Sequence, residues 1–267
     1  MPRGSRQQID AAAWDVFARH QPYYHILSDP SMMSPGPKQQ EEFWASGTRN
    51  VRSLQEFAGL GFRNGIGVDL GCGLGRLTRA MRELTSQQIG LDISSEMLCQ
   101  AKEANRSFPS IEFRQIQGDN WPVATTSCVL VISLHVLQHM STLELMEHSI
   151  CEMGRVLISG GSAVFNIPTM RWRGQLVHWA KQLPTSLSSK PDEPLSLLEQ
   201  RLARHIETRS EAFTEQQIMN DMFRLDCRRM KSLPLIRLRS AIKRANLRCR
   251  RLERDKSGVT LVALEKS

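Results

Sequence analysis

The sequence predicts an α/β fold with a mostly parallel sheet, built chiefly by residues 65–168. Short apolar runs alternate there with stretches of helical spacing, a rhythm typical of successive strand–helix–strand units. The predicted strands are Gly67–Leu70, Gln88–Asp92, Ile111–Gln117, Cys128–Ser133 and Ser162–Ile167. The predicted helices are Gly75–Leu84, Ser95–Asn105 and Thr142–Val156, with a shorter one near Val136–Met140.

Helical segments precede this core. Apolar and aromatic residues recur at helical spacing over Gln7–Ala18 and Gln39–Gly59, and a connector rich in proline, serine and methionine separates the two. We therefore treat 1–64 as an N-terminal helical cap and 65–168 as the core.

The strand–helix rhythm is lost after Pro168. Residues 169–246 are predicted to form a helical insertion or lid that ends in an amphipathic helix, Leu235–Ala245. Residues 247–267 are predicted to form a β-hairpin, with strands Leu247–Glu253 and Val259–Glu265, that completes the sheet. Leu225–Lys231 stays open as an alternative sixth strand.

Composition excludes several classes of protein. Nothing in the 267 residues approaches 18 consecutive apolar residues, and the polar N-terminus lacks the apolar core of a signal peptide. The six cysteines form neither a C-x-x-C pair nor a cluster with histidine, so we expect no metal site and no disulfide scaffold. These features predict a cytoplasmic protein without a transmembrane span.

Positive charge is concentrated near the C-terminus. Residues 1–168 carry 14 basic and 16 acidic side chains, whereas Arg224–Arg254 carries 12 basic and two acidic ones. Such an excess is costly in self-repulsion unless an anion lies nearby. The basic segment could contact an anionic membrane or RNA, and the absence of aromatic residues after Phe223 disfavours single-stranded nucleic acid. A solvated surface without any partner is the commonest origin of such a run.

The strongest local signal is the segment Val68–Arg76, with the sequence VDLGCGLGR. An apolar strand runs into three glycines at alternate positions and then into a helix whose N–H groups suit an anionic ligand. A dinucleotide fingerprint requires glycine at the sixth position from Gly71, where this chain has Arg76. A nicotinamide oxidoreductase is therefore disfavoured.

This acid-x-G-x-G-x-G loop resembles the class I S-adenosylmethionine-dependent methyltransferases of the small-molecule type. The resemblance implies a Rossmann-like, doubly wound sheet of seven strands, with S-adenosylmethionine as cofactor. It also implies that the loop holds the methionine end of the cofactor and that Asp69 attracts its ammonium group. The loop residues concerned are Gly71, Cys72, Gly73 and Gly75.

Other segments resemble later motifs of the same family. Asp92 ends the second strand, 21 residues after Gly71, where the family's acid binds both ribose hydroxyls. By the same resemblance Asp119 contacts the adenine amino group. The further cofactor contacts expected from these motifs are Ile93, Met97, Asn120 and Leu134.

Two histidines follow the fourth strand. His135 lies closer to the expected position of the methyl group and is our candidate for contacting the substrate or acting as a base. We interpret His139 as structural, and the Trp44-x-x-Gly47 segment as a packing helix although it is similar to cap elements of relatives.

We therefore predict an enzyme that transfers a methyl group to a small or lipid-linked metabolite, with catalysis mainly by alignment. RNA methylation and a non-catalytic binding protein of the same fold are the alternatives. The segment after the fourth strand, SLHV, lacks the N/D-P-P-aromatic motif expected of an amino-methylase of nucleic-acid bases. The oligomeric state and the acceptor atom are not predicted.

Overall fold

The computed structural model describes residues 3–118, 120–169, 232–256 and 258–267. Its sheet has seven strands in the order β3-β2-β1-β4-β5-β7-β6. The strands are β1 Arg63–Leu70, β2 Thr85–Asp92, β3 Ile111–Gln115, β4 Cys128–Ser133, β5 Leu157–Pro168, β6 Leu247–Arg254 and β7 Val259–Lys266. Strands β1 to β5 pair in parallel, and β7 is antiparallel to both β5 and β6. The predicted seven-stranded fold is confirmed.

The order of strands reverses between β1 and β4. The chain moves from β1 outward to β3 and then returns to place β4 on the other side of β1. Ligands of open α/β sheets bind beyond the carboxyl ends of the strands at such a switch point. The residues after β1 and after β4 are therefore brought together at the expected place.

The helices agree in number with the predictions for the core, but their bounds differ. They are α1 Arg3–His20, α2 Pro22–Leu27, α3 Pro37–Ala58, α4 Arg76–Ala80, α5 Ser95–Ala104, α6 Leu143–Val156 and, as the next described helix, α7 Leu235–Arg244. The predicted helix Gly75–Leu84 begins one residue later, because Gly75 has a left-handed backbone, and it tightens into a 3₁₀ turn at Met81–Glu83. The predicted shorter helix is a 3₁₀ turn, Leu137–His139.

Both faces of the sheet are buried. Val131 on β4 belongs to the core cluster that includes residues of α6 and α7, whereas its neighbours Leu130 and Ile132 belong to the cluster that includes residues of α3 and α4. Successive side chains of a strand point to opposite faces, so helices must cover both sides. The sheet is therefore doubly wound.

The C-terminal hairpin provides β6 and β7, as predicted. The alternative sixth strand, 225–231, lies outside the described residues, as does most of the predicted insertion, 169–246. The division of the chain into four segments stays a prediction.

Helix α7 is amphipathic, as predicted, and packs on α6. Leu238 and Ile242 are buried, whereas Leu235, at the first turn, is 39% exposed. A Cβ on Gly154 of α6 would lie 2.2 Å from the carbonyl oxygen of Ala245, which shows how closely the two segments approach.

Acidic side chains of the protein itself neutralise part of the basic segment. Arg237 and Arg244 of α7 pair with Glu147 of α6. Arg248 and Arg250 of β6 pair with Glu265 of β7, and Arg251 pairs with Glu253. The self-repulsion expected from the sequence is therefore relieved locally, without an external anion, over the described part of this segment. No helix among the described residues is both long and apolar enough to cross a membrane.

Candidate cofactor and acceptor site

A cavity of about 800 Å³ opens at the carboxyl ends of the parallel strands. Its floor includes the loop after β1, the end of β2 and the residues after β4. Side chains of α1 and α2, among them Trp14, Phe17 and Tyr24, line it from the N-terminal cap. The described residues contain no cluster of side chains that could hold a metal ion.

The glycine loop after β1 is shaped by its protein neighbours. Gly71 and Gly73 both have positive φ angles, of 70° and 52°. A Cβ on Gly71 would lie 2.3 Å from a methyl group of Val136, and one on Gly73 would lie 2.9 Å from Ile26. Both residues line the cavity, but glycine is required here by backbone conformation and by packing as well as by any ligand.

Asp69 is buried beneath this loop. Its Oδ2 accepts a hydrogen bond of 2.6 Å from the Thr78 hydroxyl, whereas its Oδ1 has no hydrogen-bond partner among the residues that the structure describes. Burial raises the pKa of Asp69 to about 7, against the opposing effects of the Thr78 hydrogen bond and the Arg76 charge. A buried carboxylate oxygen without a partner is costly, so this atom suits a cationic or hydrogen-bond-donating ligand.

Arg76 lies beside Asp69 at the start of α4. The residue lines the cavity and is buried, and its Nη1 donates to the Ser46 hydroxyl over 3.1 Å. Its Nε has no hydrogen-bond partner in the described part of the chain. Burial lowers the pKa of Arg76 from its usual value, but a guanidinium remains protonated in proteins. Sequence reasoning used Arg76 only to exclude a dinucleotide fingerprint and missed it as a site residue.

Asp92 at the end of β2 holds the adjoining loops together. Its Oδ2 accepts from the Gly73 N–H over 2.9 Å, and its Oδ1 accepts from the Ser94 N–H over 3.0 Å. Each carboxylate oxygen keeps a second lone pair, and the residue lines the cavity. Burial raises the pKa of Asp92, against these backbone hydrogen bonds. A structural cap and a ligand contact are thus compatible in one side chain.

Helix α1 is anchored next to this acid. Asp15 accepts hydrogen bonds from the Ser94 hydroxyl, at 2.6 Å, and from the Glu96 N–H, at 3.0 Å. A carboxylate at the N-terminus of α5 also interacts favourably with the positive end of the helix dipole. Asp15 therefore couples the N-terminal cap to the loop that carries Asp92, a role the sequence analysis did not find.

Only some of the residues predicted to contact the adenine line the cavity. Ile93 and Met97 line the cavity, as do Gly118 and Trp121, which lie one residue before and two residues after Asp119. Asp119 itself lies outside the described residues. Its neighbour Asn120 is exposed and does not line the cavity.

Two further residues of the glycine loop differ in whether they line the cavity. Cys72 lines the cavity, whereas Gly75 does not. A Cβ on Gly75 would lie 2.6 Å from the Phe113 ring, so Gly75 faces β3 and allows close packing there.

The residues after β4 line the opposite side of the cavity, and Leu134, His135 and His139 are all among them. His135 has a φ of +59°, and its backbone N–H donates to Asn166 Oδ1 over 2.6 Å. Asn166 Nδ2 lies 3.2 Å from the His135 Nδ1. Burial, followed by the charges of His139 and Arg76, lowers the pKa of His135.

His139 and the Trp44-x-x-Gly47 segment both make packing contacts with helices. His139 contacts the Trp14 ring edge-on, with ring centroids 5.6 Å apart, and so joins α1 to the turn after β4. On α3, Trp44 lies under the guanidinium of Arg79, 3.4 Å from its ring centroid. A Cβ on Gly47 would lie 2.5 Å from the Arg76 carbonyl oxygen, so this segment packs closely on α4.

Comparison with known proteins identifies a methyltransferase domain. The model of this domain matches residues 68–165, which run from β1 to β5 and carry the glycine loop, Asp92 and His135. The chain therefore carries a methyltransferase domain, and its cofactor is S-adenosylmethionine. No curated protein matches this methyltransferase.

Solved structures share the fold of this methyltransferase at low sequence identity. A protein from Pyrococcus horikoshii OT3 is 18% identical, with a TM-score of 0.58 over 92% of this chain and 98% of that one. Magnesium protoporphyrin IX methyltransferase from Synechocystis PCC 6803 is 13% identical, with a TM-score of 0.56 over 98% of both chains. Geranyl diphosphate methyltransferase is 11% identical, with a TM-score of 0.53 over 90% of this chain and 94% of that one.

The residues of this methyltransferase fit its cofactor. Asp69 and Arg76 both line the cavity, and among the described residues the Oδ1 of Asp69 and the Nε of Arg76 have no hydrogen-bond partner. An amino acid carries both an ammonium and a carboxylate, so the methionine end of the cofactor matches this pair of charges. Asp92 offers two carboxylate oxygens nearby for hydroxyl groups.

Proposed function

We propose that this methyltransferase transfers the methyl group of S-adenosylmethionine to a small or lipid-linked metabolite held in the same cavity. The observation that carries the proposal is the cavity itself. Its volume of about 800 Å³ lies within the range of about 300–1,000 Å³ typical of small-molecule sites. It extends beyond the acids that match the cofactor to Asn166 and to Arg254 at the β6–β7 turn, which leaves space for an acceptor.

The methionine end and the ribose are assigned to four residues. Asp69 binds the ammonium group, and Arg76 binds the carboxylate by charge-assisted hydrogen bonds. Asp92 binds both ribose hydroxyls while it keeps its backbone hydrogen bonds. Gly73 supports the geometry because its N–H is fixed by Asp92.

The remaining assignments follow the family resemblance. The apolar side chains of Ile93 and Met97 flank the adenine, and Asp119 accepts from its amino group with help from the Asn120 backbone. The remaining contacts lie near the transferred methyl group or within the glycine loop, and they are Gly71, Cys72 and Leu134. The predicted contact of Gly75 is not proposed, because this residue packs against Phe113 of β3.

Catalysis in this proposal is mainly alignment. S-adenosylmethionine supplies an electrophilic methyl group on a sulfonium that leaves as a neutral thioether. The protein holds the methyl donor between Asp69 and Asp92 and places the acceptor atom in line with the carbon–sulfur bond. The bimolecular reaction therefore becomes effectively unimolecular. The apolar lining of α1 and α2 excludes water from the reacting atoms.

The comparisons support a small acceptor, because two of the similar structures are methyltransferases named for magnesium protoporphyrin IX and geranyl diphosphate. The RNA alternative draws on the basic segment. It is weakened by the pairing of Arg237, Arg244 and Arg250 with acids of the protein. A lipid-linked acceptor would bring the same segment to an anionic surface.

The test uses S-adenosylmethionine with an isotopically labelled methyl group. The protein is incubated with it and with a cell extract separated into water-soluble metabolites, lipids and RNA, and labelled products are sought by mass spectrometry. We expect a labelled product in the metabolite or lipid fraction. Label confined to RNA would contradict the proposal.

The matched control is Asp92→Ala, which should lose the labelled product in every fraction because cofactor binding is weakened. Co-sedimentation of the wild-type protein with anionic and neutral vesicles, over a salt series, distinguishes lipid-linked from soluble acceptors. We expect binding to anionic vesicles only if the labelled product is a lipid.

A further inference from the structure

The side chain of Asn166 fixes the hydrogen-bonding state of His135. The backbone N–H of His135 can only donate, so the oxygen of the Asn166 amide must face it, at 2.6 Å. The NH₂ group of the same amide then faces the ring Nδ1, at 3.2 Å. Since NH₂ donates, Nδ1 must accept and carries no proton. The neutral ring of His135 therefore bears its proton on Nε2.

The same arrangement opposes a second proton on the ring. A proton on Nδ1 would point at the NH₂ group of Asn166, donor against donor. The surroundings act in the same direction, because burial, His139 and Arg76 all lower the pKa of His135. His135 is therefore poorly suited to act as a general base and well suited to donate a hydrogen bond.

The Nε2–H of His135 is available to a ligand. The residue is exposed to the cavity, and no described residue hydrogen-bonds to its Nε2. The charged or titratable groups that act on it are His139, from the following turn, and Arg76, from α4. The charge of Arg76 favours an anion beside His135. The acids that line the same cavity are Asp69 and Asp92, which are assigned to the cofactor, Asp10 of α1, and Glu253 and Asp255 near the β6–β7 turn.

The backbone conformation of His135 also indicates that the side chain is held in a defined position. A φ of +59° is uncommon for a residue with a side chain and strains the backbone. Asn166 lies on β5, beside β4, and is 7% exposed, so its amide is a rigid support. The strained backbone and the two contacts with one buried amide therefore hold His135 in a defined position.

We propose that His135 donates a hydrogen bond from Nε2–H to an oxygen anion of the methyl acceptor, such as a carboxylate, and that the enzyme therefore takes acceptors that arrive already deprotonated. The inference rests on the proposed function and names its substrate class. A lone pair of the acceptor oxygen forms the bond to the methyl carbon, and the electrons of the carbon–sulfur bond go to sulfur. No proton is released, so no base is required.

The first test is nitrogen NMR of histidine-labelled protein with S-adenosylhomocysteine bound. The ring signals of His135 are assigned by their loss in His135→Gln. At pH 8 we expect an unprotonated Nδ1 and a protonated Nε2, and on acidification a pKa below the ordinary value of histidine. A protonated Nδ1 in the neutral ring, or a pKa above the ordinary value, would overturn the proposal.

Asn166→Asp tests the role of Asn166 as a positioning residue. The carboxylate accepts from the backbone N–H and also attracts a proton to Nδ1, so the ring should switch to the Nδ1–H form with a higher pKa. A purely structural Asn166 would leave the ring form unchanged, and that result would contradict the argument. Calorimetry with S-adenosylhomocysteine establishes that the variant retains its fold and cofactor site.

The acceptor class is tested with benzoate and with benzyl alcohol, which match in size and differ in charge. With S-adenosylhomocysteine bound, benzoate should shift the Nε2–H signal of His135 and benzyl alcohol should not. His135→Ala should weaken benzoate binding about tenfold or more, whereas His135→Gln, which keeps an N–H donor, should retain most of it. Absence of benzoate binding, or equal binding of both probes, would overturn the acceptor class. Loss of S-adenosylhomocysteine binding would instead contradict the proposed function.

Discussion

The pKa of Asp69 makes cofactor binding depend on pH in a defined direction. Asp69 is assigned to the cofactor's ammonium group, and only its ionised form can attract a cation. A carboxyl group with a pKa of about 7 is about three-quarters ionised at pH 7.5 and about one-tenth ionised at pH 6.0. The affinity for S-adenosylhomocysteine should therefore fall about eightfold between these two pH values.

The assay is isothermal titration calorimetry at both pH values in buffers of different ionisation enthalpy. Cofactor binding should release a proton near pH 7, because the bound ammonium stabilises the carboxylate and lowers its pKa. The proton release appears as a dependence of the measured enthalpy on the buffer.

Asp69→Asn is the matched control, since the amide oxygen can still accept from Thr78 but the side chain no longer titrates. The variant should bind at all pH values no more tightly than the wild-type protein binds at pH 6.0. Any slope that remains in the variant belongs to other groups, of which Asp92 is the nearest candidate. Equal pH dependence in the wild-type protein and the variant would refute the assignment.

Three further predictions concern stability and the cofactor. The pKa of Asp69 in the folded protein exceeds its unfolded value of 3.8, so the unfolding free energy of the cofactor-free protein should fall as pH rises from about 4 to about 7. Denaturant unfolding of Asp69→Asn should show a weaker dependence of this free energy on pH. Asp92→Ala should weaken S-adenosylhomocysteine binding at least about tenfold and also cost about 1–3 kcal/mol of stability, because two backbone N–H groups lose their acceptor; unchanged affinity in the folded variant would make Asp92 a cap only. Gly71→Ala should lower the melting temperature and the affinity together, since its Cβ would collide with Val136, and an unaffected variant would contradict the described loop geometry.

The sequence predicted those parts of the fold that depend on local patterns. The glycine loop, the acid at the end of β2 and the alternation of strands and helices are each contained in short segments, so their positions followed from periodicity and motif spacing. The bounds of α4 were less accurate because Gly75 can belong to a helix or to a turn, and packing against Phe113 decides between them.

Contacts between distant segments could not be predicted. Asp15 lies 79 residues from Ser94, and Asn166 lies 31 residues from His135, so no local pattern connects them. Arg76 offered one signal, a charged residue directly after a ligand loop, but only its burial reveals it as a site residue.

The surroundings of the charge excess near the C-terminus could not be predicted for the same reason. It is relieved in part by Glu147, which lies 90 residues before Arg237. Net charge along a segment does not report the acids that the fold places beside it.

The most direct test of the central claim is calorimetry of the purified protein with S-adenosylhomocysteine and, separately, with a nicotinamide dinucleotide. The glycine loop, Asp69 and Asp92 predict saturable binding of S-adenosylhomocysteine at one site per chain, lost in Asp92→Ala, and no binding of the dinucleotide. Binding of the dinucleotide alone would contradict the account.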